Sequence, residues 1–451
     1  MISRQTSCIA GACTSALLLL LLPTTPLART NKVTTGVSTS YDYSDRQSEP
    51  VTAIPTNTSE DDYNRLAIQP LFILVSDSQQ DHFEFRAAPS LKYDLLGHQT
   101  DWDNDLFLSA ERSLSKVWQL RASNAFLQSD YHDSQIEGVV DPGIQDSQDS
   151  TPRLSADAGR TRYWRNTLKA GSKYFYGKES LVDLGADFIL LRNDASEEID
   201  SYEDYDRNAF HVKNEHRFNT IWKTIAGLSL VRGDYETSSD LKEYHLLATV
   251  ENDYFRYNKL SLNYNYIASR YDEIERDNGD IHQSRLTWRR DFSQRLNTTV
   301  GAGPSYEKSE GRDANWGANG IAEINYLIQH GTFTFAVEKR YDVDNFSGTD
   351  ERGFIDYWDT RFLFNYQLTD HLTTNARISY RYEDRESPAL PATYHKDLIT
   401  SGLGLHYSFL QYYSAGLNYT FTKQESDRIG DDYDDHRLLL SLSWKQEWLK
   451  W

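Results

Sequence analysis

Polar and apolar residues alternate with a period of two along most of this chain. The clearest segments are Phe83–Tyr93, Leu260–Tyr266, Phe333–Val337 and Tyr413–Phe421, in which every second side chain is apolar. Successive side chains of a strand point to opposite faces, so this pattern predicts β-strands with one apolar and one polar face. Segments rich in Asp, Asn, Gly and Ser separate these stretches, and almost no stretch of the chain has a helical period. This pattern indicates consecutive antiparallel hairpins.

The alternation predicts an all-β chain with about 20 strands, within a range of about 18 to 22, each roughly 12–15 residues long. We place the strand centres near residues 39, 69, 88, 108, 124, 168, 187, 212, 229, 248, 265, 287, 302, 322, 337, 361, 378, 402, 418 and 439. With an even number of strands, both ends of the folded segment would lie at the same end of the sheet.

The connections between these segments alternate in length. Links after even-numbered strands are tight, as at Ser115-Lys116 and Leu410-Gln411, whereas links after odd-numbered strands are longer and acidic, as between Asp342 and Asp356. Outer-membrane barrels have short turns on the periplasmic side and longer loops on the extracellular side. The connections therefore predict the same architecture as the strands do, from an independent feature of the sequence.

A sheet that crosses a bilayer must close on itself, because an open edge would leave backbone N–H and C=O groups unpaired in hydrocarbon. The predicted fold is therefore a single closed antiparallel transmembrane β-barrel, with its apolar face toward lipid and its polar face toward a lumen. The charged residues that we predict to line the lumen are Lys213, Glu215, Arg217, Arg285, Arg289, Asp291, Glu338, Arg340, Arg377, Arg381 and Glu383. Ion pairing between lumen neighbours and a role in selectivity are both compatible with this placement.

The long apolar run Ile9–Leu22 lies near the N-terminus. It follows Arg4 and is too short to span a bilayer as a helix, so residues 1–28 are predicted to be a signal peptide and residues 29–451 the barrel. Both cysteines lie within that leader, and the mature chain is expected to contain no disulfide. We expect an integral protein of the bacterial outer membrane, in contact with lipid and lipopolysaccharide and inserted by the outer-membrane assembly machinery.

The chain has a net charge of −20, and its mean hydropathy is −0.67. An acidic balance argues against nucleic-acid binding, which requires clustered Lys and Arg. The densest acidic runs, 197–206 and 431–435, predict solvated loops that attract divalent ions loosely; a defined Ca²⁺ site is the alternative, although neither run has the spacing of an EF-hand loop. The sequence has no Gly-x-Ser-x-Gly, His-Glu-x-x-His or phosphate-binding Gly-rich motif, so we predict no cofactor, no metal site and no enzymatic activity.

The later hairpins resemble a known family, the β-barrel porins found beside exopolysaccharide-export and exosortase-type loci. The resemblance rests on Phe362–Leu372, Ser379–Glu383, Asp431–Arg437, Leu438–Trp444 and, earlier, Tyr205–Asn208. It covers about the C-terminal half of the chain, which departs from the family in having Trp448 and Trp451 beyond the last strand. The resemblance implies a role in envelope or polysaccharide traffic, with polysaccharide-export components as partners, and brings no catalytic residues.

The leading functional hypothesis is a channel for diffusion or export, with a polysaccharide or another solute as cargo. Twenty strands would enclose a wider lumen than the 16 to 18 strands of typical porins. The longest connection, 132–159, could fold inward as a constriction or remain outside as a flexible loop. The alternatives are a non-conducting structural or adhesive barrel whose acidic loops bind ions or partners, and a hydrolase with its site at the rim.

Overall fold

The computed structural model describes part of the chain, and all of its regular structure there is β-strand. The described residues are 29–48, 62–130, 162–194, 203–255, 257–272, 278–310, 313–348, 352–386, 393–428 and 431–450. Within these ranges, no helix is long and apolar enough to cross a membrane. The predicted signal peptide lies outside the described residues.

The described residues form 21 strand segments. Their bounds are β1 Thr30–Ser48, β2 Tyr63–Asp77, β3 Asp81–Ala87, β4 Ser90–Asp94, β5 Thr100–Ser115, β6 Trp118–Asp130, β7 Arg162–Gly177, β8 Ser180–Asn193, β9 Tyr205–Arg217, β10 Trp222–Tyr235, β11 Leu241–Phe255, β12 Asn258–Tyr271, β13 Gly279–Asp291, β14 Leu296–Ser309, β15 Asn315–Ile328, β16 Gly331–Asp344, β17 Gly353–Gln367, β18 Leu372–Glu386, β19 Thr393–Phe409, β20 Tyr413–Ser426 and β21 Tyr433–Lys450. The predicted strand centres all lie within these segments except residue 88, which falls between β3 and β4.

The strands form one closed antiparallel sheet. β3 and β4 are two halves of a single strand, because both pair with β2 on one side and with β5 on the other. The break between them contains Pro89, which has no N–H to donate to the ladder. From β5 onward each strand pairs with the next, and β21 pairs with β1, for example Trp444 with Val37. The predicted closed barrel of 20 antiparallel strands is confirmed.

The predicted alternation of short and long connections is also confirmed. Links at one end of the barrel contain two to four residues, as between β5 and β6 or β19 and β20. Links at the other end contain five to 31 residues, the longest being 131–161 between β6 and β7. Below, these are the short-turn end and the long-connection end of the barrel.

The two faces of the sheet differ in chemistry. On β10, for example, Leu228 and Leu230 are exposed on the outer face, whereas Val231 on the inner face is buried. Large apolar side chains are exposed on the outer face of most strands, including Leu184, Val212, Leu262, Leu286, Val300, Leu403 and Leu442. Exposed tryptophans lie toward both ends: Trp118, Trp222, Trp288 and Trp448 toward the short turns, and Trp102, Trp316 and Trp358 toward the long connections.

The inner face is filled unevenly along the barrel axis. The largest fully buried side chains are Tyr63, Tyr163, Tyr205, Ile189, Leu191, Leu241, Ile281, Gln424, Ser44, Ser269 and Ser305. All of them lie in the strand halves next to the long connections. By contrast, Arg289 and Asp291 at the short-turn end have side chains that are 54% and 49% exposed. Among the described residues, the inner face is therefore packed at the long-connection end and accessible to water at the short-turn end.

Candidate functional site

The barrel wall opens between β15 and β16 at the long-connection end, where the link between β16 and β17 turns inward. β15 and β16 pair only from Ile328–Gly331 up to Gly320–Lys339, although both strands continue beyond that point. β16 remains paired with β17 along its whole length, and β17 remains paired with β18 from Gln367 up to Ile355, so β16 separates from β15 but stays joined to the sheet through β17. We call the end of β16, the following link and the start of β17, residues 340–355, the inserted hairpin.

The inserted hairpin packs on the inner wall through aromatic side chains that sit against glycines. The three pairs are Phe346 with Gly233, Phe354 with Gly279 and Tyr341 with Gly317. A methyl group on any of the three glycines would overlap the aromatic side chain opposite it. These glycines let the rings come close to the backbone of the wall, because only a residue without Cβ leaves room for them. They are not required for unusual backbone angles.

Phe346 lies at the centre of an apolar cluster on β7 to β11. Its ring meets Tyr205 edge to face at 5.3 Å and stacks on Tyr235 at 5.8 Å. The Tyr205 hydroxyl donates to the Phe346 carbonyl at 3.1 Å, which fixes the backbone of the link as well as the ring. Val231 and Leu241 complete the surroundings and are at most 4% exposed. Burial of this size makes Phe346 a structural anchor of the hairpin.

Asn345 supplies a polar anchor beside that cluster. Its Nδ2 donates to Glu243 Oε1 at 2.6 Å, and its Oδ1 accepts from the Tyr271 hydroxyl at 2.8 Å. The other Glu243 oxygen lies 2.9 Å from His245 Nε2. Asn345 and Glu243 are both buried, so these hydrogen bonds offset the cost of removing polar groups from water.

A second apolar cluster holds the base of the hairpin. Tyr341 and Phe354 pack against Ile267 and Ile281, and all four are at most 3% exposed. Gln283 Nε2 donates to the Tyr341 carbonyl at 2.6 Å, which replaces the ladder bond lost where β16 leaves β15. The hairpin therefore crosses the inner faces of β15 and β14 to reach β13 and β12.

The other face of the inserted hairpin carries charges. Arg340 pairs with Asp342 at 2.5 Å, and Asp344 accepts from Arg385 of β18 at 3.1 Å. Arg385 also pairs with Glu383 at 2.5 Å, so this network links the hairpin to the adjacent wall. The hairpin thus presents an apolar face to one side of the lumen and a charged face to the remaining space.

Comparisons with known proteins support the fold. The ferric enterobactin receptor of Pseudomonas aeruginosa aligns with a TM-score of 0.53 at 9% identity, covering 91% of this chain and 81% of that one. The siderophore receptor PirA of the same species aligns with a TM-score of 0.51 at 10% identity, covering 92% and 80%. At such identities the likeness shows the fold alone. No protein-family model and no curated protein matches the sequence.

The closed sheet has an apolar exterior with tryptophans near both ends. In the half of the barrel next to the short turns, each described strand is paired with a neighbour on both sides. Only such a structure, or a helix, satisfies every backbone group within a bilayer. The chain is an integral outer-membrane β-barrel. In this setting, the short-turn end of the barrel is periplasmic and the long-connection end extracellular.

The residues predicted to line the lumen all lie on the polar face of the outer-membrane barrel, where they form several separate groups. The contacts are Lys213–Glu215 at 2.9 Å, Arg217–Asp253 at 3.3 Å, Arg285–Glu338 at 3.2 Å, Arg289–Asp291 at 3.9 Å, Arg340–Asp342 and Arg381–Glu383. Arg377 lies on the same face of β18 as Arg381. The structure brings Arg285 and Glu338 together from β13 and β16, which the sequence alone did not indicate.

The inserted hairpin is not apparent from the sequence. Residues 342–356 are acidic and resemble the other long connections. Just before them, Tyr341 and Val343 alternate with Arg340 and Asp342 as in any other strand, so nothing in the sequence marks the point where β16 separates from β15. The loop proposed as a constriction, 132–159, lies outside the described residues. A usable signal was present in the inward-facing glycines at 233, 279 and 317, which leave space that only another chain segment can fill.

The described carboxylates of the acidic runs form hydrogen bonds within the protein, in a link and in a strand. Glu203 accepts from the backbone N–H and hydroxyl groups of Thr237 and Ser238, which ties two extracellular links together. Burial raises the pKa of neighbouring Asp204, although it accepts hydrogen bonds from Asn193. Asp435 accepts from Ser44 at 2.7 Å. Among the described residues, no group of three or more His, Cys, Asp or Glu side chains could hold a metal ion.

Proposed function

We propose that this outer-membrane barrel is a diffusion channel for small hydrophilic solutes, narrowed on its extracellular side by the inserted hairpin. The observation that carries this proposal is the hairpin itself, which occupies the extracellular half of the lumen while the periplasmic half is open. The mixed charges of the inner face, such as Lys213 with Glu215 and Arg289 with Asp291, suit a water-filled path. They favour polar solutes of either sign over apolar ones.

The free face of the hairpin marks the path that such a solute would follow. Arg340, Asp342, Asp344 and Arg385 lie there, and each of them is partly accessible. The residues predicted from the sequence to line the lumen would act along this route and below it. A polysaccharide would have to cross the same narrowed half in an extended form, so we favour small solutes over polymer export.

The hairpin is a fixed constriction in this proposal, rather than a mobile lid. Withdrawing it would expose Tyr341, Phe346 and Phe354, and burial of each such side chain contributes about 1.5–3 kcal/mol. A cost of roughly 5 kcal/mol leaves about one molecule in several thousand open at any time. Conduction should therefore proceed beside the hairpin, with small steps of current.

The test removes the tip of the hairpin. Asp344 and Gly353 are paired, so residues 345–352 can be replaced by Asn-Gly, which suits a two-residue turn. We expect this variant to show a single-channel conductance several-fold larger than that of the unaltered protein in planar bilayers. Equal conductance would contradict a constriction by the hairpin, and absence of current in both proteins would contradict a channel.

A second function is favoured by one observation, the burial of inner-face side chains from β1 to β21 at the extracellular end. A barrel filled in this way could be a non-conducting structural or adhesive protein, with acidic loops that bind ions or partners. Swelling of protein-containing liposomes in sugars of graded size separates the two functions. A channel gives swelling that falls with sugar size, whereas a filled barrel gives background swelling for every sugar.

A further inference from the structure

One buried arginine of the inner face has neither a hydrogen bond nor an ion pair with any described residue. Arg207 lies near the extracellular end of β9 and is 8% exposed. Its Nε and Nη1 atoms are buried and donate to no acceptor among the described residues. A guanidinium that has lost its water without gaining a partner is costly to keep in a folded protein. Arg207 therefore calls for an explanation in terms of a ligand.

Buried arginines on the opposite side of the lumen show what Arg207 lacks. Arg437 donates to Asp42 at 2.8 Å, and Arg65 donates to Asp130 at 3.0 Å. In both pairs the carboxylate is buried as well, so the hydrogen bond and the mutual attraction offset the loss of water. Arg207 is buried to a similar degree without a carboxylate of the chain within ion-pair distance.

The carboxylate that interacts electrostatically with Arg207 is engaged elsewhere. Glu243 of β11 is near enough for such an interaction. Its Oε1, however, accepts from Asn345 Nδ2 at 2.6 Å, and its Oε2 lies 2.9 Å from His245 Nε2. Both oxygens of Glu243 therefore serve the contact that anchors the inserted hairpin, and the guanidinium of Arg207 keeps its donors for another group.

Arg207 lies against the apolar anchor of the inserted hairpin. It is paired in register with Gly233, the glycine that Phe346 covers, and with Ile189 on the other side. Neither neighbour has a side-chain acceptor. The guanidinium carbon lies 5.2 Å from the centre of the Phe346 ring. Because Arg207 is on the inner face, the part of it that remains exposed opens to the lumen, where a solute anion can reach it.

The wall around and below Arg207 has an excess of basic side chains, although the chain as a whole has a net charge of −20. Lys213 and Lys223 share one carboxylate, Glu215, at 2.9 and 2.6 Å. An inner surface of this kind raises the local concentration of anions. The other basic residues on the inner faces of β7 to β9 are Arg165, Lys169, Lys173 and Arg217, and the other acidic ones are Asp183 and Asp187.

We propose that Arg207 binds an oxyanion group of a solute in the lumen, either a carboxylate or a phosphate, at the foot of the inserted hairpin. A guanidinium presents planar donors that match the oxygens of both groups, and its partly desolvated position strengthens the attraction. The inference deepens the proposed function and rests on it for transport, since a channel with this site prefers anions among the polar solutes that it admits. Binding at Arg207 does not itself depend on conduction.

The first test measures binding through stability. The full chain, refolded in lipid vesicles, is titrated with urea in sodium chloride, sodium acetate or sodium phosphate at equal ionic strength. A ligand that binds only the folded state raises the urea midpoint, so acetate or phosphate should raise it relative to chloride. The rise should be absent in Arg207→Met. Arg232→Met is the control and should keep the rise, because Arg232 lies on the outer face of β10, paired with Asp234 and 60% exposed.

The salt that raises the midpoint identifies the group that Arg207 binds. General salt effects on stability act on all three proteins alike, so an equal rise in Arg207→Met would overturn the proposal. Absence of a rise in the unaltered protein with both salts would overturn it as well. In chloride, Arg207→Met should be at least as stable as the unaltered protein, because an unpaired buried charge is removed. A clearly lower midpoint would instead assign Arg207 a partner within the fold.

The second test measures selectivity in planar bilayers. The reversal potential in a KCl gradient should show that the unaltered protein prefers chloride to potassium, and Arg207→Met should lower this preference about twofold. Arg232→Met should leave the preference unchanged. Equal preference in Arg207→Met and the unaltered protein would contradict a role of Arg207 in transport. Absence of current in all three proteins would contradict the proposed channel alone, because the urea titrations measure binding separately.

Discussion

The two sides of the lumen are filled differently. Charged side chains pack against one another on the side formed by β1, β2, β20 and β21. The inserted hairpin packs against apolar side chains on the side formed by β8 to β13. On the first side Arg437 donates to Asp42 at 2.8 Å, and both are less than 10% exposed. Tyr63 donates to Asp42 at 3.2 Å, and Arg46 stacks on Tyr433 at 3.9 Å. We call these the charged side and the hairpin side.

The difference shows that a barrel of this size can be filled in two ways. The charged side is closed by side chains of its own wall, so each group depends on the partner that offsets its burial. The hairpin side is closed by backbone brought from β16 and β17, so its wall can carry Val231, Ile267 and Ile281 facing inward. Substitutions on the charged side should therefore mainly lower the free energy of unfolding, whereas substitutions on the hairpin side should also change conductance.

The largest effect is expected for Asp42→Ala on the charged side. Removing Asp42 leaves Arg437 buried with its main partner lost, and breaking a buried pair in this way costs about 3–5 kcal/mol of the free energy of unfolding. Urea titration of the protein refolded in lipid vesicles measures the change. Asp42→Ala combined with Arg437→Met should recover most of the loss, because no unpaired charge then remains. A double variant as unstable as the single one would contradict this account.

A smaller effect on unfolding, with a larger effect on conduction, is expected for Phe346→Ala on the hairpin side. Truncation of a buried phenylalanine costs about 3 kcal/mol, and the loss falls on the contact that anchors the hairpin. Single-channel conductance should rise or become noisy. Phe210→Ala, on the outer face of neighbouring β9, is the control, since it should leave conductance unchanged. Equal conductance changes in the two variants would show that Phe346 has no special role in the constriction.

The sequence contained enough information for the barrel and too little for its filling. Strand number, strand centres and the two faces follow from a period of two and from connection lengths, which are local properties. The partnership of Asp42 with Arg437 joins residues 395 positions apart, and no local pattern selects it. The inserted hairpin depends on the point where β15 stops pairing with β16, and alternation continues unchanged through that point.

The smallest effect is expected from adding one methyl group to the hairpin side, and the chain provides a matched control for it. Gly279 and Gly227 both lie on the inner face of a strand, but only Gly279 has an aromatic ring of the hairpin against it. In Gly279→Ala the methyl group overlaps Phe354, and forcing extra volume into a packed site costs about 1–3 kcal/mol. In Gly227→Ala the new Cβ would lie 3.6 Å from Leu247, an ordinary contact.

Urea titration in vesicles should therefore show a lower midpoint for Gly279→Ala and a midpoint for Gly227→Ala that is unchanged or slightly higher, because alanine has less backbone entropy to lose than glycine. The conductance of Gly279→Ala should also increase if Phe354 has to move away from β13. Should both variants lose stability equally, the glycines would matter only for the strands in which they lie. A selective loss at Gly279 would instead assign the cost to the contact between wall and hairpin, which is what separates the two sides of the lumen.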